Sequence, residues 1–138
     1  MIEPITSKFL SSVRDLPDRP ILIFPDETVS YQELHDRALK IAKSLHSMDI
    51  RRGDHVGILM ANSIEYVEVL FGIAFLGAIP VLYNGRFKAR EIAHVTSDAD
   101  IKIIVTSDQI DEHIDYGELL CSALPGLETS LYEKTGSQ

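Results

Sequence analysis

Three short apolar runs constrain this chain most: His55–Met60 (HVGILM), Ile79–Tyr83 (IPVLY) and Ile101–Thr106 (IKIIVT). Each is strand-sized, rich in Ile, Val and Leu, and separated from the next by a segment with helical periodicity. Antiparallel neighbours can be joined by a two-residue turn, whereas parallel neighbours need a crossover of about a dozen residues or more. The spacing therefore predicts parallel pairing with right-handed helical crossovers.

The segments between and around these runs carry helix signals. Ser30 is placed to cap a helix, with Glu33 completing a capping box, and Leu34, Ala38, Ile41, Ala42 and Leu45 form its apolar stripe. That helix is expected to end near Met48-Asp49. Asn62 is expected to cap the next helix, Ile64–Leu76, with Glu65 completing a second box and Gly77 as its left-handed terminator. Further helices are expected over Ala89–Ser97 and Tyr116–Leu124, the latter stopping before Pro125-Gly126. Ahead of the first crossover, Ser7–Arg14 reads as a short helix. Ile21–Phe24 and Thr28-Val29 read as a β-hairpin turning at Pro25-Asp26-Glu27. The expected fold is α/β: a three-layer α/β/α sandwich with a mostly parallel sheet, plus a short N-terminal β-hairpin. Residues 1–126 are expected to form one subdomain and residues 127–138 a flexible polar tail.

Charge and composition narrow the function. With 21 acids against 13 bases the formal charge is -8, which opposes nucleic-acid binding through a general basic surface. The single cysteine, Cys121, cannot form an internal disulfide and reads as a small apolar helix residue. The most hydrophobic stretch, VLFGIAFLGAIPVL, is shorter than the roughly 20 residues a membrane span needs and is broken by Gly77 and Pro80. The first residues show no apolar signal-peptide core. A cytoplasmic, soluble domain is the expectation.

Motifs for known chemistries are sparse. GxGxxG is absent, and Gly72 to Gly77 has P-loop glycine spacing without the Lys and Ser/Thr that must follow. The histidines at 35, 46, 55, 94 and 113 are scattered, without ligand spacing for a metal. The acidic run from Asp108 to Glu118 lacks the alternation of a calcium loop and reads as a solvated face. Of the strand ends, only Asp108 could supply the acid of a receiver domain. No catalytic residue and no metal ligand is assigned. What stands out is Arg86, Lys88 and Arg90, directly behind Asn84-Gly85 on an acidic chain. Spacing alone leaves two readings. The cluster could offer guanidinium groups to phosphate at the carboxyl end of a strand, where open α/β sheets bind ligands. It could equally be solvated cations of a helix's first turn, with Arg86 paired to a structural carboxylate.

Five segments in order resemble the adenylate-forming (AMP-binding) superfamily, the acyl-CoA synthetases and their relatives. Thr28-Val29-Ser30-Tyr31-Gln32-Glu33-Leu34 resembles its LTYxEL segment, and Gly53-Asp54-His55-Val56-Gly57-Ile58 resembles GDRVAI. Ala61-Asn62-Ser63-Ile64-Glu65 resembles PNSPE, Gly77-Ala78-Ile79-Pro80-Val81 resembles GAVPV, and Asn84-Gly85-Arg86 with Glu91-Ile92 resembles NPR…EL. Together they cover about residues 20 to 108. Gly85 departs from the Pro or Thr usual there, which is expected to loosen the loop carrying Arg86.

The resemblance implies an acyl-CoA ligase that uses ATP and Mg to convert a carboxylate to an acyl-adenylate, then passes the acyl group to CoA. It implies a CoA-phosphate contact for Arg86 and scaffold roles for Asn62 and Gly77. The segments that hold ATP phosphates and ribose in the family, and its catalytic Lys, have no counterpart here. The chain is thus expected to be the N-terminal part of such an enzyme, inert alone, without a cofactor of its own, and prone to self-association through an exposed apolar face. The alternative is a stand-alone non-catalytic module that binds a protein partner such as a full-length synthetase.

Overall fold

The computed structural model describes residues 4–108, 110–111 and 113–126. Helix α1 (Ile5–Asp15) leads into an antiparallel hairpin, β1 (Pro20–Ile23) and β2 (Thr28–Ser30). Then follow α2 (Tyr31–Ser47), β3 (His55–Leu59), α3 (Ile64–Phe75), β4 (Ile79–Leu82), α4 (Ala89–Asp98) and β5 (Ile101–Thr106). A two-residue hairpin, β6 (Ile110–Asp111) with β7 (Ile114–Asp115), precedes α5 (Tyr116–Ala123). The main sheet has the order β4-β3-β5 and is parallel throughout. The polar tail expected over 127–138 lies outside the described residues.

Alternation along the central strand sorts side chains into two layers. Val56, Ile58 and Met60 meet Ile41, Leu45, Val69 and Ile73 of α2 and α3. Leu59 and Tyr83 instead meet Ile92 of α4 and Tyr116 and Leu120 of α5. The three-layer arrangement is therefore as expected. The N-terminal hairpin forms its own sheet, closing a separate apolar cluster with Phe9, Val29, Leu34 and Ile64.

Helix ends follow local chemistry. Ser30 Oγ accepts the Glu33 N–H, as its sequence position requires. The second cap differs from expectation: Asn62 is exposed, and Ser63 Oγ accepts the Tyr66 N–H at 3.2 Å while donating to the Ala61 carbonyl. Moving the cap by one residue takes Glu65 out of the third helical position, so the expected box does not form. At the other end of α3, Gly77 has φ 71°; its N–H donates to the Ala74 carbonyl and that of Ala78 to the Ile73 carbonyl, closing a Schellman motif. Asp49 does the same for α2 at φ 68°, with Ile50 N–H donating to the Leu45 carbonyl.

Glu68 has only 2% of its surface exposed, on an otherwise apolar helix. Arg37 reaches it at 3.2 Å and also meets Glu27 of the hairpin turn at 2.8 Å and Glu33 at 3.6 Å. One guanidinium thus ties the hairpin, α2 and α3 together. Desolvation opposes the Arg37 charge, but hydrogen bonds to Glu27 and Glu68 outweigh it and hold its pKa above the ordinary value.

Candidate functional site

The carboxyl ends of all three parallel strands meet at one edge of the sheet. Ile58 is registered with Leu82 and Leu59 with Thr106, so Tyr83-Asn84 and Ser107 emerge on either side of Met60-Ala61. Open α/β sheets bind ligands at this kind of edge. The segment from β4 to α4 crosses it and carries the cationic cluster.

That segment is braced, which the sequence did not lead us to expect. The Asn84 side-chain oxygen accepts the Arg86 N–H at 2.9 Å, and the Asn84 carbonyl accepts the Phe87 N–H at 3.0 Å. The two bonds form an Asx turn inside a β-turn. Gly85 is not loosening: its φ is not in the left-handed region, and a Cβ there would lie 3.1 Å from the Tyr116 hydroxyl. The glycine permits close approach of α5 to the turn. Tyr116 is 3% exposed, so the turn rests on a fixed wall.

Arg86, Lys88 and Arg90 are all exposed. Among the described residues no carboxylate lies within ion-pair distance of any of them, so Arg86 does not pair with a structural carboxylate. Lys88 is the residue before α4, and its N–H donates to Glu91 Oε2 at 3.0 Å; Arg90 sits in the first turn. Cations there oppose the helix dipole by a few tenths of a kcal/mol each, and Glu91 offsets part of that.

Behind the turn, Tyr83 is 6% exposed and its hydroxyl bonds Thr96 Oγ1 at 2.6 Å, which in turn donates to the Ile92 carbonyl. Burial pushes the Tyr83 pKa up while the bond to Thr96 works in the opposite direction, so the phenol keeps its proton and acts as a strut. Asn84 and Tyr116 were missed in the sequence. The NG pair is a readable turn signal, but nothing local links it to a tyrosine 32 positions further on.

The other singled-out residues lie elsewhere. Cys121 is on α5 as expected but exposed rather than packed as an apolar residue. His35 bonds Asp36, and His55 bonds the Ala99 carbonyl at the opposite, amino edge of the sheet. A depression of about 410 Å³ at that edge is lined by Gly53, Asp54, His55, Asp100 and Lys102. A shallower apolar one of about 290 Å³ lies along α2 and α3 at Leu39 and Phe75. Neither includes Arg86.

Fold and site together define the class: a parallel-sheet α/β domain with an exposed guanidinium, without a carboxylate partner among the described residues, at the carboxyl edge of its sheet. The family model for AMP-binding enzymes matches residues 9–135, and the chain belongs to that family. A 2-succinylbenzoate–CoA ligase of Oceanobacillus iheyensis is 32% identical, over 83% of this chain and 25% of the relative. Long-chain fatty acid transport protein 2 of Rattus norvegicus is 29% identical, over 83% of this chain and 18% of its own length. Among solved structures, the N-terminal domain of FACL13 from Mycobacterium tuberculosis matches with a TM-score of 0.73 at 28% identity, over 76% of this chain and 27% of that one. The o-succinylbenzoate CoA synthetase of Bacillus subtilis, solved with an acyl-adenylate, also gives 0.73, at 25% identity over 85% and 30%. The chain spans about a quarter of the length of these relatives and matches their N-terminal portion.

The family implies ATP, Mg and CoA. Arg86 fits a single phosphate contact, being exposed, without a carboxylate partner among the described residues, and carried on a braced turn. Among the described residues no group of three His, Cys, Asp or Glu side chains is placed to hold a metal ion. No step involving Mg·ATP is therefore assigned to residues of this chain.

Proposed function

We propose that this chain supplies the N-terminal part of an acyl-CoA ligase, an enzyme that joins a carboxylic acid to CoA through an acyl-adenylate. Its contribution is scaffold plus one contact, from Arg86 to a phosphate of CoA. The family match over residues 9–135 carries the reading, and the exposed Arg86 guanidinium, without a carboxylate partner among the described residues, supports the contact. The adenylation chemistry itself is assigned to residues outside this chain.

In the ligase that contains this chain, Arg86→Ala is expected to raise the KM for CoA about tenfold, the scale of one lost charge-assisted hydrogen bond. ATP–pyrophosphate exchange, which reads adenylate formation alone, is expected to stay unchanged. Equal loss in both half-reactions overturns the CoA contact. The chain alone is expected to give no exchange with any carboxylate.

A second reading is a non-catalytic module docking onto a protein partner; such a module needs no uncovered apolar face, whereas part of a larger enzyme leaves residues such as Ile79 and Leu82 exposed, at 47% and 55%. We infer that the same residues drive self-association. Sedimentation at rising concentration is expected to show dimers; a monodisperse monomer favours the module.

A further inference from the structure

We propose that Asn84 is the positioning residue of the anion-binding turn, with Tyr116 as its backstop. This rests on the reading of Arg86 as a phosphate contact, but its geometry can be tested without CoA.

A flexible, exposed arginine loses much of its binding free energy to ordering when it meets a phosphate. Here the backbone half of that ordering is done in advance. The Arg86 N–H is held by Asn84 Oδ1 at 2.9 Å and the Phe87 N–H by the Asn84 carbonyl at 3.0 Å, so one residue fixes the turn on both sides of Arg86. Phe87 is half-buried against the cluster that includes Tyr83, Ile92 and Tyr116, which anchors the turn's far end. From the other side the Tyr116 hydroxyl lies so close to Gly85 that even a methyl group would sit 3.1 Å from it. The turn therefore lies directly against the first residue of α5. Asn suits this role because its side-chain oxygen reproduces a backbone acceptor two residues before the donor. A serine there does so more weakly, and an alanine not at all.

The test has two arms. In this chain, amide hydrogen exchange at Arg86 is read by NMR. Asn84→Ala is expected to speed that amide at least tenfold while Tyr83 and Ile92 keep their protection, and Asn84→Ser to fall between. Unchanged exchange at Arg86 overturns the proposal whatever the kinetics show. In the ligase, Asn84→Ala is expected to raise the KM for CoA three- to tenfold with adenylate formation intact. Asn84→Ser is expected to restore part of the loss, and Asn84→Ala to add nothing in an Arg86→Ala background. An Asn84→Ala effect that persists in full without Arg86 overturns positioning through that residue. If Arg86→Ala itself leaves the KM unmoved, the CoA contact fails. The proposal then stands or falls on the exchange arm, as a statement about the turn alone.

Discussion

At Gly72 the two longest helices approach closely, and replacing it by alanine is the sharpest test of the packing described above. It lies on α3 facing α2. A Cβ there would sit 2.8 Å from Ile41 Cγ2, 3.0 Å from Ile41 Cβ and 3.0 Å from the Ala38 carbonyl oxygen. Carbon atoms in contact prefer about 3.5–4.0 Å, so the helices must separate by roughly 0.5–1 Å. A rotamer change cannot relieve this, because the Ala38 oxygen and Ile41 Cβ are fixed to the backbone of α2. Overpacking of this kind costs about 1–3 kcal/mol. Removing a mid-helix glycine returns up to about 1 kcal/mol. The net expectation is a loss of up to about 2 kcal/mol, read as a lower urea midpoint at unchanged slope. Ile41→Ala removes the nearest methyl, so Gly72→Ala is expected to cost less in that background, with a coupling of about 0.5–1 kcal/mol. A higher midpoint for Gly72→Ala, or no coupling to Ile41→Ala, would refute the close-approach argument.

Other consequences can be checked alongside. Asp49 holds a left-handed conformation at φ 68° that glycine adopts freely; Asp49→Gly is expected to raise stability by about 0.5–1 kcal/mol in thermal or urea unfolding, despite losing an exposed ion pair with Arg51. Arg37→Met leaves the buried Glu68 carboxylate without its guanidinium and is expected to cost about 3 kcal/mol by the same assay, with a smaller cost when combined with Glu68→Gln. The Asp54 carboxylate accepts the Arg51 N–H at 2.7 Å and a bond from Lys102 at 3.1 Å, which hold its pKa below the ordinary 3.8. A depressed folded pKa stabilises above the unfolded value and loses that contribution as pH falls through the folded one. Asp54→Asn is therefore expected to flatten the stability–pH curve below about pH 4; an unchanged acid limb would contradict the assignment.

Much of this fold was legible because its signals are local. Three branched apolar runs with crossover-length spacing named the parallel sheet, and the stripe from Leu34 to Leu45 named the face of α2 that is buried. Gly77 read correctly because left-handed helix ends select glycine by backbone sterics alone. Where two adjacent residues can do the same job, locality is not enough: Asn62 and Ser63 are both good caps, and the tertiary path chose Ser63. The Arg37 cluster was only half visible. Glu33 and Arg37 are four apart on one helix, and Glu68 is a charge in an apolar helix, but their union depends on how α2 meets α3. Arg86 stood out by charge contrast, whereas the contact between Tyr116 and its turn was hidden because Tyr116 reaches Gly85 through folding alone.

Pro80 carries a consequence for how the molecule meets its neighbours. The Ile79 and Tyr83 amides donate inward, to the Asp54 and Ile58 carbonyls, so alternation turns positions 80 and 82 outward. Proline has no amide to offer there. Among the described residues the outer margin of β4 therefore presents a single N–H, at Leu82, which makes it a poor template for an added strand. Two copies pressed together at Ile79 and Leu82 would make few backbone hydrogen bonds, because only the Leu82 N–H and the outward carbonyls are left to pair. Pro80 thus blunts this edge against strand-by-strand growth.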